Sequence, residues 1–109
     1  MEITLPVKAL SINKAYRGRR FASADLKQFE KDVGYLLNPP KCPISNEIDV
    51  SYTFYVKNYK RADTSNMIKT CEDMLVKCGV IKDDKQVVWL SAEKVKSEKE
   101  YIEISILER

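Results

Sequence analysis

With 109 residues the chain is long enough for one hydrophobic core and short for two, so a single domain over 1–109 is expected. An apolar content of 44% excludes a disordered polypeptide, and no apolar run approaches the roughly 18–20 residues of a membrane-spanning helix. Met1–Pro6 includes Glu2 and lacks the pattern of a signal peptide, so a cytoplasmic protein is the expectation.

Histidine is absent, which removes every Ser-His and Cys-His nucleophilic mechanism. The cysteines (Cys42, Cys71, Cys78) form no C-x-x-C pair, so neither a zinc finger nor a disulfide framework is expected. Chemistry must then rest on carboxylates, lysine, hydroxyls or a bound metal. The net charge of +3 is unevenly spread. No acid lies between Glu2 and Asp25, a stretch holding Lys8, Lys14, Arg17, Arg19 and Arg20, and Lys57, Lys60 and Arg61 run up to Asp63. Basic stretches of this kind suit a polyanionic partner; solvated loop charge is the plainer alternative.

In chain order, Glu2 to Leu5 reads as a short strand ended by Pro6, and the stretch from there to Ala22 as a long loop. Ser23 is a helix N-cap, Asp25 suits the positive end of the helix dipole, and Leu26, Phe29, Val33 and Leu36 form one apolar stripe before Pro39-Pro40. Glu47 to Lys57 alternates strictly, with Ile48, Val50, Tyr52, Phe54 and Val56 on one face of a half-buried strand. A second helix follows with Met67, Ile68, Cys71, Met74, Leu75 and Cys78 on its apolar side, Thr64 or Ser65 as cap and Gly79 as terminator. After a turn at Lys82 to Lys85, Val87 to Val95 reads as a strand beginning in a buried run. A polar hairpin at Ser97 to Glu100 leads to a last strand, Tyr101 to Leu107. The order β-α-β-α-β-β predicts an α+β fold: a mixed β-sheet with two helices packed on one face.

Asp63 lies between the alternating strand and the second helix, and Asp84 in the turn leading to the next strand. If a strand–helix–strand unit brings them together, the pair is a hard oxygen site of the kind magnesium or manganese prefers. Lys69 stands about one and a half turns into the helix and is placed to meet phosphate charge. Ordinary readings exist for each: Asp63 as a helix N-terminal acid, Asp83 and Asp84 as turn acids, Lys69 and Asp73 as a surface i,i+4 pair.

The pattern Asp63-x-Ser65-Asn66-x-x-Lys69-x-x-x-Asp73-x-Leu75-x-x-x-Gly79-x-x-x-Asp83-Asp84-x-x-Val87 resembles the signature of the RusA family of Holliday junction resolvases, found mainly in bacteria and their phages. Ile3-Thr4-Leu5-Pro6, Ser11-x-Asn13-x-x-Tyr16-Arg17 and Ser23-Ala24 are similar to that family's N-terminal part, and the resemblance runs from about residue 3 to residue 107. It implies a metal-dependent endodeoxyribonuclease that resolves four-way junctions and related branched DNA by paired symmetric hydrolysis, acting as a homodimer. Asp63 and Asp84 match metal-binding aspartates, Lys69 matches a lysine needed for cleavage, and Asn66 and Asp73 match residues around them. Asp83 is a further candidate ligand. Lys14, Arg17, Arg19, Arg20, Lys60 and Arg61 are the candidate DNA contacts, and Mg2+, with Mn2+ as a substitute, is the implied cofactor. One position departs: Ser65 stands where the family has a second aspartate, and a hydroxyl ligates weakly or through water. That departure keeps open a non-catalytic branched-DNA-binding protein on the same fold.

Overall fold

The computed structural model describes residues 1–17 and 21–109, with side chains described outside 16–22. Its backbone is a mixed four-stranded sheet and three helices, an α+β arrangement. The elements are β1 (Glu2–Leu5), α1 (Ile12–Ala15), β2 (Tyr16–Arg17), β3 (Phe21–Ala22), α2 (Ala24–Leu36), β4 (Ile48–Val56), α3 (Thr64–Lys77), β5 (Val87–Lys96) and β6 (Tyr101–Glu108), with one 3-10 turn at Asp84–Gln86.

The large sheet has the order β1-β6-β4-β5, and β2 and β3 form a separate two-stranded pair. β4 is flanked on both sides, by β6 antiparallel and by β5 parallel. Its alternation explains that position: Ile48, Val50, Tyr52, Phe54 and Val56 are buried, while the residues between them are half-buried. The buried side joins Phe29 and Val33 of α2, Met67, Cys71, Met74 and Leu75 of α3, and Ile102, Ile104 and Ile106 of β6 in one core, so the helices cover one face of the sheet.

Four sequence expectations change. The connection at Ser97 to Glu100 is no hairpin, because β4 lies between β5 and β6 and pairs with both. β5 does not begin in a buried run: as the outer strand it leaves Val88, Trp89 and Leu90 at 43%, 49% and 43% exposure. Leu37 takes the core position expected of Leu36, because the last turn of α2 closes with the Leu37 amide on the Val33 carbonyl. The expected loop before Ala22 holds α1 and the β2–β3 pair, elements too short to show a period.

Side-chain hydrogen bonds fasten this N-terminal segment. Ser23 Oγ accepts from the Leu26 amide (3.1 Å), as an N-cap does, and donates to the Lys14 carbonyl (2.6 Å). Thr70 Oγ1 of α3 donates to the Leu10 carbonyl at 2.8 Å. One buried hydroxyl thus serves both a helix cap and the docking of α1. Ser23→Ala is expected to lower unfolding free energy by about 1–2 kcal/mol in chemical denaturation.

Candidate active site

α3 organises the candidate residues. It begins after β4 and a turn through Tyr59 to Ala62, in which the amides of Arg61 and Ala62 donate to the Asn58 carbonyl at 3.2 and 3.1 Å. Asp63, rather than Thr64 or Ser65, holds the N-cap position, yet its carboxylate makes no capping bond to the backbone. Instead Asp63 Oδ2 accepts from Asn66 Nδ2 at 3.1 Å. A carboxylate at the positive end of a 14-residue helix, held by a neighbouring amide and exposed to solvent, is ready to meet a ligand.

Two turns along, Lys69 Nζ reaches Asp73 Oδ1 (3.1 Å) on its own helix and Asp84 Oδ2 (3.3 Å) from the turn before β5. The Asp73 hydrogen bond is the main reason the Lys69 pKa lies above the ordinary lysine value, with Asp84 adding to it against a partial loss of solvent. Glu72 lies close enough to feel the same charges. Burial raises its pKa first, Lys69 lowers it, and Asp84 and Asp73 raise it again. The cluster is therefore several acids around one ammonium.

Asp63 and Asp84 have different partners, Asn66 and Lys69. Among the described residues, no three His, Cys, Asp or Glu side chains stand in one metal-sized group. The two carboxylates come from the two junctions of one crossover unit. In a parallel β4-α3-β5 crossover the strand-to-helix junction and the helix-to-strand junction lie at opposite ends of the unit. The turn carrying Asp84 reaches only the middle of α3, and Lys69 bridges to it from about 9 Å along the helix axis beyond Asp63. Asp83 is used locally: its Oδ1 accepts from the Lys85 amide (2.9 Å), and its own amide donates to Gln86 Oε1 (2.8 Å). That capping holds its carboxyl below the usual range. Gln86 in turn donates to the carbonyls of Ile44 and Asn46, which fastens the turn next to Asp84. Ser65 is exposed in the first turn of α3, four residues before Lys69.

A cleft of about 960 Å³ opens beside Asp63. Asp63, Asn66 and Met67 of α3 form one wall with Arg61 and Lys57, and Lys8, Asn13 and Lys14 line the N-terminal side. Phe29 of α2 contributes to the apolar floor, while Asp25, Asp32 and Glu100 add acids elsewhere on the lining. Of the expected DNA contacts, Lys14 and Arg61 line this cleft, while Lys60 is exposed in the adjoining turn. Arg19 and Arg20, and the side chain of Arg17, lie outside the described residues. Lys8 and Lys57 were visible only as members of basic runs; their common cleft depends on the fold.

Against this geometry, the family model of endodeoxyribonuclease RusA matches residues 7–107. The chain belongs to the RusA family. A protein of Lactococcus phage r1t named crossover junction endodeoxyribonuclease rusA is 35% identical over 81 residues, covering 64% of this chain and 62% of that protein. The match thus spans a little under two thirds of the phage relative. The RusA resemblance read from the central motif holds, and the matched range takes in all of α3 and both aspartates.

The Lys69–Asp84 pair joins side chains 49% and 44% exposed, so solvent screens it. A double-mutant cycle with Lys69→Met and Asp84→Asn, read by chemical denaturation, is expected to give a coupling below about 1 kcal/mol. Because the folded-state pKa of Lys69 is raised, its contribution is fully present below the ordinary value of 10.5 and lost only as pH rises through the higher folded value. Between about pH 6 and 9 the coupling is expected to stay constant.

Proposed function

We propose that this RusA-family chain is an endodeoxyribonuclease that resolves Holliday junctions and related branched DNA by paired symmetric hydrolysis of phosphodiesters. The observation that carries the proposal is the family match over residues 7–107, which includes Asp63, Asn66, Lys69 and Asp84 on and around one helix. The similarity to a phage protein named as a crossover junction endodeoxyribonuclease supports the choice of branched DNA.

Lys69 would stabilise the negative charge that builds on the phosphate as the bond breaks. Lysine is protonated at neutral pH, and the Asp73 and Asp84 carboxylates beside it favour that form. Asp73 and Asp84 hold its ammonium in place. Asn66 orients the Asp63 carboxylate. Lys8, Lys14, Lys57 and Arg61, which line the cleft beside Asp63, would take the DNA backbone, with Lys60 adjoining. Binding through such cations weakens as salt rises, because each releases condensed counterions.

The donor set fits a hard divalent cation in kind: exposed carboxylate oxygens on Asp63 and Asp84, a hydroxyl on Ser65, and a place beside Asp84 that already takes a positive charge from Lys69. Asp63 and Asp84 would hold Mg2+, or Mn2+ in its place, with Ser65 ligating weakly or through water and Asp83 as a further candidate. Such an ion supplies Lewis acidity and lowers the pKa of bound water. A second copy of the chain is the proposed partner, since two cuts placed symmetrically call for two sites related by a dyad. The exposed Val88-Trp89-Leu90 run on the outer strand supports an interaction surface of this kind.

Ser65, standing where the family pattern has a carboxylate, favours a second reading, a branched-DNA-binding protein without cleavage. Asp84→Asn distinguishes the two when wild type and variant are compared on a labelled four-way junction. The nuclease reading predicts binding within about twofold of wild type and cutting reduced about a hundredfold or more. Unchanged cutting by Asp84→Asn removes that residue from the mechanism, and absence of cutting by wild type favours the binding protein. Replacing Lys57 and Arg61 with Ala is expected to weaken binding and flatten its salt dependence, by about one unit of slope for each phosphate-bound cation removed.

A further inference from the structure

β5 presents Leu90, Ala92 and Lys94 to the helical side of the sheet, level with the buried Val50, Tyr52 and Phe54 of β4. A lysine among core-facing positions must carry its ammonium to polar partners, because an unpaired charge away from water is costly. Lys94 Nζ donates to the carbonyls of Tyr59 (2.6 Å) and Ala62 (3.0 Å) and lies 4.3 Å from the centroid of the Tyr59 ring. Both carbonyls belong to the turn between β4 and α3 that the Asn58 carbonyl closes. Ala62 is followed directly by Asp63, whose carbonyl accepts from the Asn66 amide at 3.1 Å. One ammonium thus pins two points of a four-residue turn that ends at the candidate catalytic carboxylate.

We propose that Lys94 is a positioning residue: it fixes the Tyr59–Ala62 turn, and through it the placement of Asp63 at the mouth of the cleft. Its effect on cutting rests on the nuclease reading above; its effect on the turn does not. The charge matters as well as the chain length. Two carbonyl oxygens and the negative face of an aromatic ring all attract a cation, and a neutral side chain of the same length satisfies none of them fully. Among the described residues, 57–61 are all exposed, the amides of Arg61 and Ala62 converge on the single Asn58 carbonyl, and Ala62 packs against the core. Lys94 therefore couples the end of the sheet to the start of α3 at a point where apolar packing is thin.

Lys94→Met removes the charge at similar length, and Lys94→Arg keeps charge and donors. Three quantities are read for each and for wild type: junction affinity, single-turnover cutting in Mg2+, and amide hydrogen exchange. Lys94→Met is expected to bind the junction within about threefold of wild type yet cut about a hundredfold more slowly, the scale expected for misplacing a reactive group by about 1 Å. Exchange is expected to quicken at least tenfold at Arg61, Ala62 and Asn66 and to stay unchanged in β6, with Lys94→Arg reversing most of both effects. Local exchange unchanged in Lys94→Met, or quickened equally in β6, overturns the proposal, as does failure of arginine to restore what methionine removes. If wild type does not cut but the local exchange effect appears, the positioning stands and the nuclease reading falls. Should Lys94→Met not fold, Lys94→Gln, which keeps an N–H donor and loses the charge, decides the same question.

Discussion

A strand paired in parallel with its successor can be reached only by a crossover, and that constraint governs this molecule. β4 is buried along one face and flanked on both edges, and β5 runs alongside it in the same direction. The chain must therefore return across the sheet before β5 begins, and α3 is that return. Its apolar side, Met67, Cys71, Met74 and Leu75, completes the core over β4. Its other side carries Asn66, Lys69 and Asp73 past the turn that bears Asp84. The core and the polar cluster are thus two faces of one helix.

The same constraint divides the candidate site. Asp63 sits where β4 gives way to α3, beside the cleft and its basic residues, and Asp84 sits where the chain enters β5. Lys69, between them on α3, reaches Asp73 and Asp84. Lys94 ties the far end of β5 back to the turn before Asp63, so both strands of the parallel pair help to place the start of the helix. Two amide bonds to the Asn58 carbonyl and the packing of Ala62 hold the same turn.

Where one face of an element is buried, the sequence was legible. Strict alternation marked β4, and spacing of three and four marked α2 and α3, because burial writes its period into the residues. The Ser23 cap was legible for a local reason, a hydroxyl three residues from the amide it serves. Long-range pairing was not. A polar four-residue connection says nothing about whether another strand lies between its ends, so β4 between β5 and β6 went unseen, and with it the exposure of Val88, Trp89 and Leu90. That parallel pairing also puts Asp63 and Asp84 at the two junctions of one crossover, which their spacing in the chain does not encode. The RusA motif carried the candidate residues across this gap, since it matches residue types in order without specifying distance. Lys94 lay outside the motif, and its role depends on which side of β5 faces the helices.

Cutting of branched DNA is the claim on which the site's meaning depends. It is tested most directly on an immobile, strand-labelled four-way junction incubated with the wild-type chain in Mg2+, in Mn2+ and in chelator, beside linear duplex of the same sequence. Paired nicks at symmetric positions, dependent on metal and confined to the junction, are the expected result. They would also establish that Ser65 suffices where the family pattern has a carboxylate. Tight junction binding without nicks in either metal would contradict the claim and leave a branched-DNA-binding protein on a nuclease fold.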